Sequence, residues 1–354
     1  MARGLFELRK DSVTGWWVAV VVDREFNRER FAKAAIHLEQ PPERCPNCSA
    51  PGGDGVRIRM LKQDAFILAG TEREARESAD GDVRDPATPV LGLVGDAGSY
   101  QTIIAPPGHH ESFADTSAGI AFELLARTRD VLTQARDAGQ TEYLQVVQNY
   151  GRQAGALTNH LCFDFYDLPQ IPHRIGEELG GAARYVIREG ICPFCRLVRD
   201  EVAEPTRLVY EDSSSVAFAP YASRSPFELW VVPRHHAADF GNATDAQLVS
   251  AAETLQSVLK LVGTLDGPAY NLVLHTAPLR ERVDETFHWH WEIHPRLRDI
   301  AGLEIGTGLP VNPVSPEEAA AELLDTARAE AIETGVASGP RSWDEFLPVS
   351  EPRG

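Results

Sequence analysis

Methionine, cysteine and basic side chains are scarce in this chain of 354 residues, which has 2 methionines, 5 cysteines and 34 Lys or Arg against 52 Asp or Glu. The net charge of −18 argues against extended nucleic-acid or acidic-membrane binding, because nothing in the sequence resembles a basic stripe. No apolar run approaches the roughly 20 residues that span a bilayer. A small anionic ligand is still allowed, since helix N-termini and backbone amides can bind one.

The first residues, MARGLFELRKDSVTG, lack the apolar core of a secretory signal, so we expect a cytoplasmic protein. In a reducing compartment, closely spaced cysteines favour a metal over a disulfide. The composition is 43% hydrophobic and 24% charged, which is typical of a globular protein. At this length, about two domains are expected.

Four of the five cysteines form two Cys-x-x-Cys pairs, and each pair is followed by two histidines. The first set is Cys45, Cys48, His109 and His160, and the second is Cys192, Cys195, His236 and His288. The two histidines lie 51 residues apart in the first set and 52 in the second. This matched spacing indicates a duplicated unit in which each copy can close a Cys2His2 tetrahedron.

Both halves repeat the predicted order strand, helix, strand, strand. The predicted strands are 102–107, 143–149, 228–233 and 270–275, and the predicted helices are 115–138, capped by Asp115, and 244–262. The sequence therefore predicts an α+β protein of two similar lobes, each an antiparallel sheet with a flanking helix. We place the lobes at 1–175 and 176–325, followed by a tail at 326–354. Residues 70–89 read as a solvated loop.

Several longer motifs are specific enough to suggest a family. They are CPNC, PGHHESFAD and NYGRQAGALTNH in the first half, and CPFC, VVPRHHAADF, FHWHWEIHPRL and GTGLPVNPVSPEEAA in the second. Over about residues 40 to 325 the chain resembles the galactose-1-phosphate uridylyltransferase family, a two-lobed branch of the histidine triad superfamily. The family register selects His109 over His110 and His236 over His235 as metal ligands.

The resemblance implies a nucleotidyltransferase or nucleotide phosphorylase that acts on a nucleoside diphosphate compound. In such proteins a histidine attacks the α-phosphorus, and a second phosphate-bearing compound then takes the nucleotide. The resemblance also implies a homodimer. Two thiolates and two imidazoles per site favour zinc, with iron as the alternative, and four protein ligands make both sites structural.

The chain departs from the family at the motif that carries the catalytic histidine. The family's His-Pro-His-x-Gln is replaced by His160-Leu161-Cys162-Phe163-Asp164, so a thiol stands at the nucleophile position and a carboxyl group at the glutamine position. Cys162 is either a small buried hydrophobe or an activated thiolate, with Asp164 as its base or as a partner for a cationic substrate group. The site is thus predicted to be remodelled, for altered transfer, for another reaction class, or for binding without catalysis.

The second half offers an alternative nucleophile, His290, since small single-lobe relatives use the middle histidine of this motif. Two-lobed relatives generally keep this copy without using it as nucleophile, so the other interpretation of His290 is a structural or substrate-supporting residue. Strand alternation places His290 and Glu292 on one face and Trp289 and Trp291 on the other. Glu292 is predicted to fix the His290 tautomer or to contact substrate. Additional candidate contacts to the nucleotide phosphates are Asn149, Gly151 and Arg152.

Overall fold

The computed structural model describes residues 6–22, 27–48, 56–60, 99–109, 112–139 and 141–334. Its strands are β1 (Phe6–Lys10), β2 (Trp17–Val21), β3 (Arg57–Met60), β4 (Ser99–His109), β5 (Tyr143–Tyr150), β6 (His160–Leu168), β7 (Leu208–Glu211), β8 (Ser215–Phe218), β9 (Leu229–Pro233), β10 (Tyr270–His275), β11 (His290–Pro295) and β12 (Val311–Asn312). Its α-helices are α1 (Ala118–Ala138), α2 (His173–Glu189), α3 (Pro193–Ala203), α4 (Asp245–Gly263), α5 (Gly302–Thr307) and α6 (Pro316–Thr334).

Nine strands form one antiparallel sheet in the order β3-β4-β6-β5-β10-β11-β9-β8-β7. The first half contributes β3 to β6 and the second half β7 to β11, and the two halves meet where β5 pairs with β10. Val147 lies opposite Val273 at this seam. The predicted α+β class with antiparallel sheets and the predicted order strand, helix, strand, strand are confirmed in both halves.

One face of this sheet packs against α1 and α4. Alternation along β6 and β11 turns Phe163, Phe165, Trp291 and Ile293 to this face, where they join one large buried cluster with apolar residues of both helices. Phe163 and Trp291 meet edge to face with their ring centroids 6.0 Å apart. The core on this side is therefore shared by the two halves.

The opposite face, here called the polar face, carries the side chains of Cys162, Asp164, His290 and Glu292. Over the second half it is covered by α2 and α3, whose Ile175, Leu179 and Phe194 belong to a second buried cluster. The polar groups of the second half are therefore enclosed between the sheet and these two helices.

The turn between β1 and β2 packs closely against α2 at Gly181. A Cβ atom at this position would lie 1.8 Å from the carbonyl oxygen of Val13, so only glycine allows this approach. Asp11 holds the turn, because its carboxylate accepts hydrogen bonds from the backbone N–H groups of Val13 at 2.9 Å and Thr14 at 2.6 Å.

We expect Gly181→Ala to lower the free energy of unfolding by about 1–3 kcal/mol, because the added methyl group forces α2 and the turn apart. Gly176→Ala is the matched control on the same helix, where a Cβ atom meets nothing within 4 Å. That change should stabilise the protein by about 0.5–1 kcal/mol. Urea unfolding monitored by circular dichroism measures both, and equal effects of the two substitutions would contradict the close approach.

The predicted helix starts are partly wrong. Asp115 does not cap α1; it lies in a short 3-10 helix, Phe113–Asp115, and accepts a hydrogen bond from Ser112. Ser117 caps α1 by accepting from the N–H of Ile120. Thr244 does cap α4, in a capping box with Gln247. The predicted loop at 70–89 lies outside the described residues, as do residues 335–354 of the tail predicted at 326–354, whereas residues 326–334 of that tail belong to α6. Within the described ranges no helix is long and apolar enough to cross a membrane.

Candidate functional site

The first Cys2His2 set is brought together in the first half of the sheet. Cys45 and Cys48 follow a short 3-10 helix, while His109 ends β4 and His160 begins β6. All four ligand atoms lie within 4.8 Å of one another. The Cys48 Sγ atom lies 3.2 Å from Nδ1 of His109 and 3.3 Å from Nδ1 of His160.

The second ring nitrogens of both histidines point to backbone carbonyls. Nε2 of His109 lies 2.7 Å from the carbonyl oxygen of Gln40, and Nε2 of His160 lies 2.9 Å from that of Ala105. A hydrogen bond at Nε2 leaves Nδ1 unprotonated and turned to the thiolates, which is the arrangement that orients a metal-binding imidazole.

In the second Cys2His2 set, too, one cysteine sulfur lies close to the Nδ1 atoms of two histidines. Cys192 caps α3, Cys195 lies in its first turn, and His288 precedes β11 by two residues. Cys195 Sγ lies 3.3 Å from Nδ1 of His236 and 3.6 Å from Nδ1 of His288. A hydrogen bond with the Cys192 thiol lowers the pKa of Cys195 to about 4, so Cys195 is a thiolate at neutral pH.

Both sets fit a tetrahedral metal ion by their chemistry and spacing. The eight side chains are two groups of two thiols and two imidazoles, and within each group the ligand atoms lie within 4.8 Å of one another. In the second set, too, a backbone carbonyl orients an imidazole, since Nε2 of His236 lies 2.6 Å from the carbonyl oxygen of Asp284. His110 lies outside the described residues, and His235 is exposed.

Cys162 and Asp164 lie side by side on the polar face of β6. The Cys162 Sγ atom lies 3.9 Å from Oδ1 of Asp164, and the Tyr100 hydroxyl on β4 donates to the same oxygen at 2.7 Å. Burial, followed by the charge of Asp164, raises the pKa of Cys162 well above its ordinary value. Burial also raises the pKa of Asp164, although the hydrogen bond from Tyr100 opposes this. The environment therefore disfavours a free thiolate.

A cleft opens where β5 and β6 diverge, just beyond their last paired residues. It is lined by His37, Gln148, Asn149, Tyr150, Gly151, Thr158, Asn159, His160 and Leu161. The side chain of Asn149 is fixed by the neighbouring strand, because its Oδ1 accepts a hydrogen bond from Nδ2 of Asn271 at 2.5 Å. Gly151 has a φ of +80°, and a Cβ atom there would lie 2.7 Å from that of Ala269. Arg152 is exposed and is not a lining residue of this cleft.

His290 and Glu292 lie elsewhere, fully buried beneath α2 and α3. The His290 ring stacks on Trp230 with the centroids 4.9 Å apart, and its Nε2 lies 3.9 Å from Oε1 of Glu292. Arg174 and Arg224 each pair with Glu292, at 2.6 and 3.1 Å. The structure therefore separates this pair from the cleft beside Asn149 and Gly151.

Glu178, His275, His290 and Glu292 form a third group whose ligand atoms lie within 4.8 Å of one another. Glu178 contacts Nδ1 of His275 at 2.9 Å, and the two arginines already supply positive charge to Glu292. Burial alone would raise the pKa of Glu292, but the neighbouring Arg174 guanidinium holds it well below its ordinary value. This group is therefore charge-compensated by the protein itself.

Sequence reasoning missed Tyr100, Arg174, Glu178, Arg224 and His275. Arg174 and Glu178 stand four residues apart on α2, which is a readable helix pair, but nothing in the sequence says that they reach β10 and β11. Tyr100 meets Asp164 only because β4 pairs with β6, with Tyr100 opposite Tyr166.

Tyr100→Phe is expected to destabilise the protein by about 1–3 kcal/mol, because Asp164 loses its hydrogen-bond donor while it stays buried. Tyr166→Phe is the matched control, since this neighbouring ring lies 5.1 Å from that of Tyr100 and is half-buried. The control should change stability by less than about 0.5 kcal/mol. Chemical unfolding at neutral pH compares the two, and a neutral Tyr100→Phe would show that Asp164 has no need of the phenol.

The fold and the paired Cys/His sets define a two-lobed protein of the histidine triad type. The HIT domain model matches residues 201–298. An ADP-glucose phosphorylase of Arabidopsis thaliana is 28% identical over 324 residues, covering 89% of this chain and 91% of that protein. The galactose-1-phosphate uridylyltransferase of Thermotoga maritima is 30% identical over 205 residues, covering 54% of this chain and 64% of that protein.

Solved structures agree with this assignment. The crystal structure of an Arabidopsis thaliana ADP-glucose phosphorylase with bound ADP-glucose has a TM-score of 0.68 at 26% identity, covering 90% of this chain and 98% of that one. A uridylyltransferase structure has a TM-score of 0.71 at 25% identity, covering 91% and 98%. The chain is thus similar to galactose-1-phosphate uridylyltransferases and to an ADP-glucose phosphorylase, and the predicted kinship with nucleotidyltransferase-like enzymes is confirmed.

Proposed function

We propose that this chain is a nucleotidyltransferase-like or nucleotide phosphorylase-like enzyme that acts on a nucleoside diphosphate compound, such as a nucleotide sugar, at a remodelled site. The observation that carries the proposal is the juxtaposition of the cleft at Asn149 and Gly151 with the Cys162–Asp164 strand. The similarity to an ADP-glucose phosphorylase over 89% of the chain supports it.

The reaction would break the bond between the α-phosphorus and its bridging oxygen and join the nucleotide to an acceptor. Asn149 is suited to hold a phosphoryl oxygen, because its carbonyl oxygen is occupied by Asn271 and its amide N–H groups stay available on the cleft side. Gly151 lies beside it with a φ of +80°, a backbone conformation that favours glycine. Arg152 is exposed and would act only from the rim of the site.

Cys162 is the nucleophile candidate that the geometry favours over His290. Cys162 is half-buried on the face next to the cleft, whereas His290 is 0% exposed and enclosed by aromatic rings. A covalent route would join the Cys162 sulfur to the α-phosphorus as a thiophosphate ester while the first leaving group departs. The raised pKa of the thiol favours the alternatives: another reaction class using Cys162 and Asp164, or nucleotide binding without turnover.

The two Cys2His2 sets are proposed to hold one zinc ion each, with iron as the alternative metal. Cys45, Cys48, His109 and His160 would hold the first ion, and Cys192, Cys195, His236 and His288 the second. When bound, such an ion contributes folding energy rather than chemistry, because four protein ligands leave no open position. We further propose that the protein is a cytoplasmic homodimer, on the basis of its family.

Intact mass after acid-free quenching tests the proposed transfer. The purified protein is incubated with a panel of nucleoside triphosphates and nucleotide sugars, including ADP-glucose. An added nucleoside monophosphate that is absent in Cys162→Ala and present in His290→Gln would identify Cys162 as the nucleophile.

Product formation without any adduct would indicate transfer in a single step or another chemistry at the same site. Thermal stabilisation by a nucleotide, with neither adduct nor product, would leave a nucleotide-binding protein. If no member of the panel is bound or converted, the proposed function is wrong.

A further inference from the structure

The carboxyl groups of Asp164 and Glu292 occupy equivalent places in the two halves. Each stands four residues after a histidine of a Cys2His2 set, and both face the same side of the sheet. Asp164 lies opposite Val147, Val147 opposite Val273, and Val273 opposite Glu292. The two acids therefore stand in one row across four strands, on either side of the seam and roughly 14 Å apart.

Their surroundings differ in charge. Glu292 is paired with Arg174 at 2.6 Å and with Arg224 at 3.1 Å, and its Oε2 atom lies 2.8 Å from Nε2 of His294. Asp164 has no ion pair with any lysine, arginine or histidine that the described part of the chain contains. Its partners there are neutral donors, namely the hydroxyl groups of Tyr100 and Thr102 and the thiol of Cys162.

A buried carboxyl group needs either a cation or a proton. Asp164 is 7% exposed and Glu292 is 0% exposed, so neither is compensated by bulk water. In the second half the protein supplies two guanidinium groups. In the first half it supplies hydroxyl donors alone, on the face next to the cleft lined by Asn149 and Gly151.

The same carboxyl group would oppose the ligand of the proposed function. A nucleoside diphosphate brings negative charge to the region where Asp164 lies, and like charges in a site of low polarity repel. A positive charge placed between the phosphate oxygens and Asp164 would neutralise the buried carboxylate and also remove its repulsion of the anionic ligand.

We propose that Asp164 is a cation-binding residue of the substrate site and that the ligand brings the cation with it. This inference rests on the proposed function, because it takes the ligand to be a nucleoside diphosphate compound. The cation has two chemical sources: a divalent ion such as Mg²⁺ carried by the diphosphate, or an ammonium group on the sugar or the acceptor. Tyr100 would hold the carboxyl group in place for either one.

Calorimetric titration of the full chain can separate these sources. The buffer is freed of divalent ions on a chelating resin before the protein is added, so that no chelator competes for the Cys2His2 sites. ADP-glucose is titrated with and without Mg²⁺, and UDP-glucosamine is compared with UDP-glucose without Mg²⁺. The same four titrations are run on Asp164→Asn and on Asp167→Asn, a matched control on the same strand.

We expect the wild type and Asp167→Asn to bind at least one cation-bearing probe about tenfold more tightly than its cation-free counterpart. Asp164→Asn should bind both members of that pair with affinities equal within about twofold, and it should bind the cation-free probe at least as tightly as the wild type. A Mg²⁺ effect alone assigns the divalent ion as the source, and a preference for UDP-glucosamine alone assigns the ammonium group.

Equal affinities for all probes in the wild type and in Asp164→Asn would overturn the inference and leave the proposed function standing, with Asp164 protonated in the complex. A cation effect that survives in Asp164→Asn would also overturn it, because another group would then be the receptor. Absence of binding in every titration would overturn both the inference and the proposed function.

Discussion

Replacing Cys48 by serine is expected to remove one metal ion per chain and to lower the free energy of unfolding by about 4 kcal/mol or more. The Cys48 sulfur is the group that both imidazoles of the first set face, at 3.2 and 3.3 Å. Without it, the ends of β4 and β6 lose their common ligand to the loop that carries Cys45 and Cys48. The same change at Cys195 should remove the ion of the second set and separate α3 from the start of β11.

Elemental analysis by mass spectrometry, with thermal unfolding of the same samples, measures this effect. Counting zinc and iron together gives the number of ions, and their ratio gives the identity. Cys162→Ser is the matched control, because it removes the one cysteine that belongs to neither Cys2His2 set. The control should keep both ions. If Cys48→Ser also keeps two ions per chain, the first set is not a metal site.

Glu292→Gln is expected to cost about 3–5 kcal/mol, which is typical when one member of a buried ion pair is removed. The substitution keeps the shape of the side chain but leaves Arg174 and Arg224 facing a neutral amide beneath α2 and α3. His294 loses its acceptor as well. We therefore expect α2 to detach from the sheet at lower denaturant concentrations than in the wild type.

The pH dependence of the free energy of unfolding gives a second test of the role of Glu292. The pKa of Glu292 is held well below its ordinary value in the folded state, so its ionised form stabilises the fold above the unfolded-state pKa of about 4.3. That stability is lost as pH falls through the lower, folded-state pKa. The difference between wild type and Glu292→Gln should thus be greatest at neutral pH and shrink below about pH 4.

An exposed pair provides the control for this network. Arg196 and Asp200 stand at i and i+4 on α3, with about half of each side chain exposed. Asp200→Asn should leave stability unchanged within error, because exposed ion pairs are screened by solvent. Comparing Glu292→Gln, Arg174→Met and the double variant measures the coupling between the two side chains, because members of one ion-pair network have non-additive effects on stability. If Glu292→Gln behaves like Asp200→Asn, the buried network does not stabilise the fold.

Short sequence patterns predicted much of the local structure. The alternation around His290 predicted that Trp289 and Trp291 lie on one face of the strand and His290 and Glu292 on the other, and the structure places them so. The matched Cys-x-x-Cys and histidine spacings predicted two compact sets of four side chains, because each set repeats one local design. In both cases the chemistry is readable from short segments.

Long-range pairing explains what the sequence did not predict. Arg174 reaches Glu292 across 118 residues, and Tyr100 reaches Asp164 across 64, so only the packing of α2 and the register of β4 bring them together. The predicted cap at Asp115 was wrong for a local reason, since Ser117 offers an equally good oxygen two residues later. The joining of two sheets at β5 and β10 was equally hidden, because an edge strand and a central strand share one pattern.

During synthesis on the ribosome, β5 is made well before its partner β10. When β5 and β6 have been made, roughly 100 residues must still be synthesised before β10 pairs with the open edge of β5. At about 5–20 residues per second, this strand edge stays bare for several seconds or more. An unpaired strand edge is a template for pairing with another extended chain, so we expect the first half to be prone to aggregation until β10 is made. A fragment that ends before β10 would keep this edge unpaired, so the second half protects the first by completing its sheet.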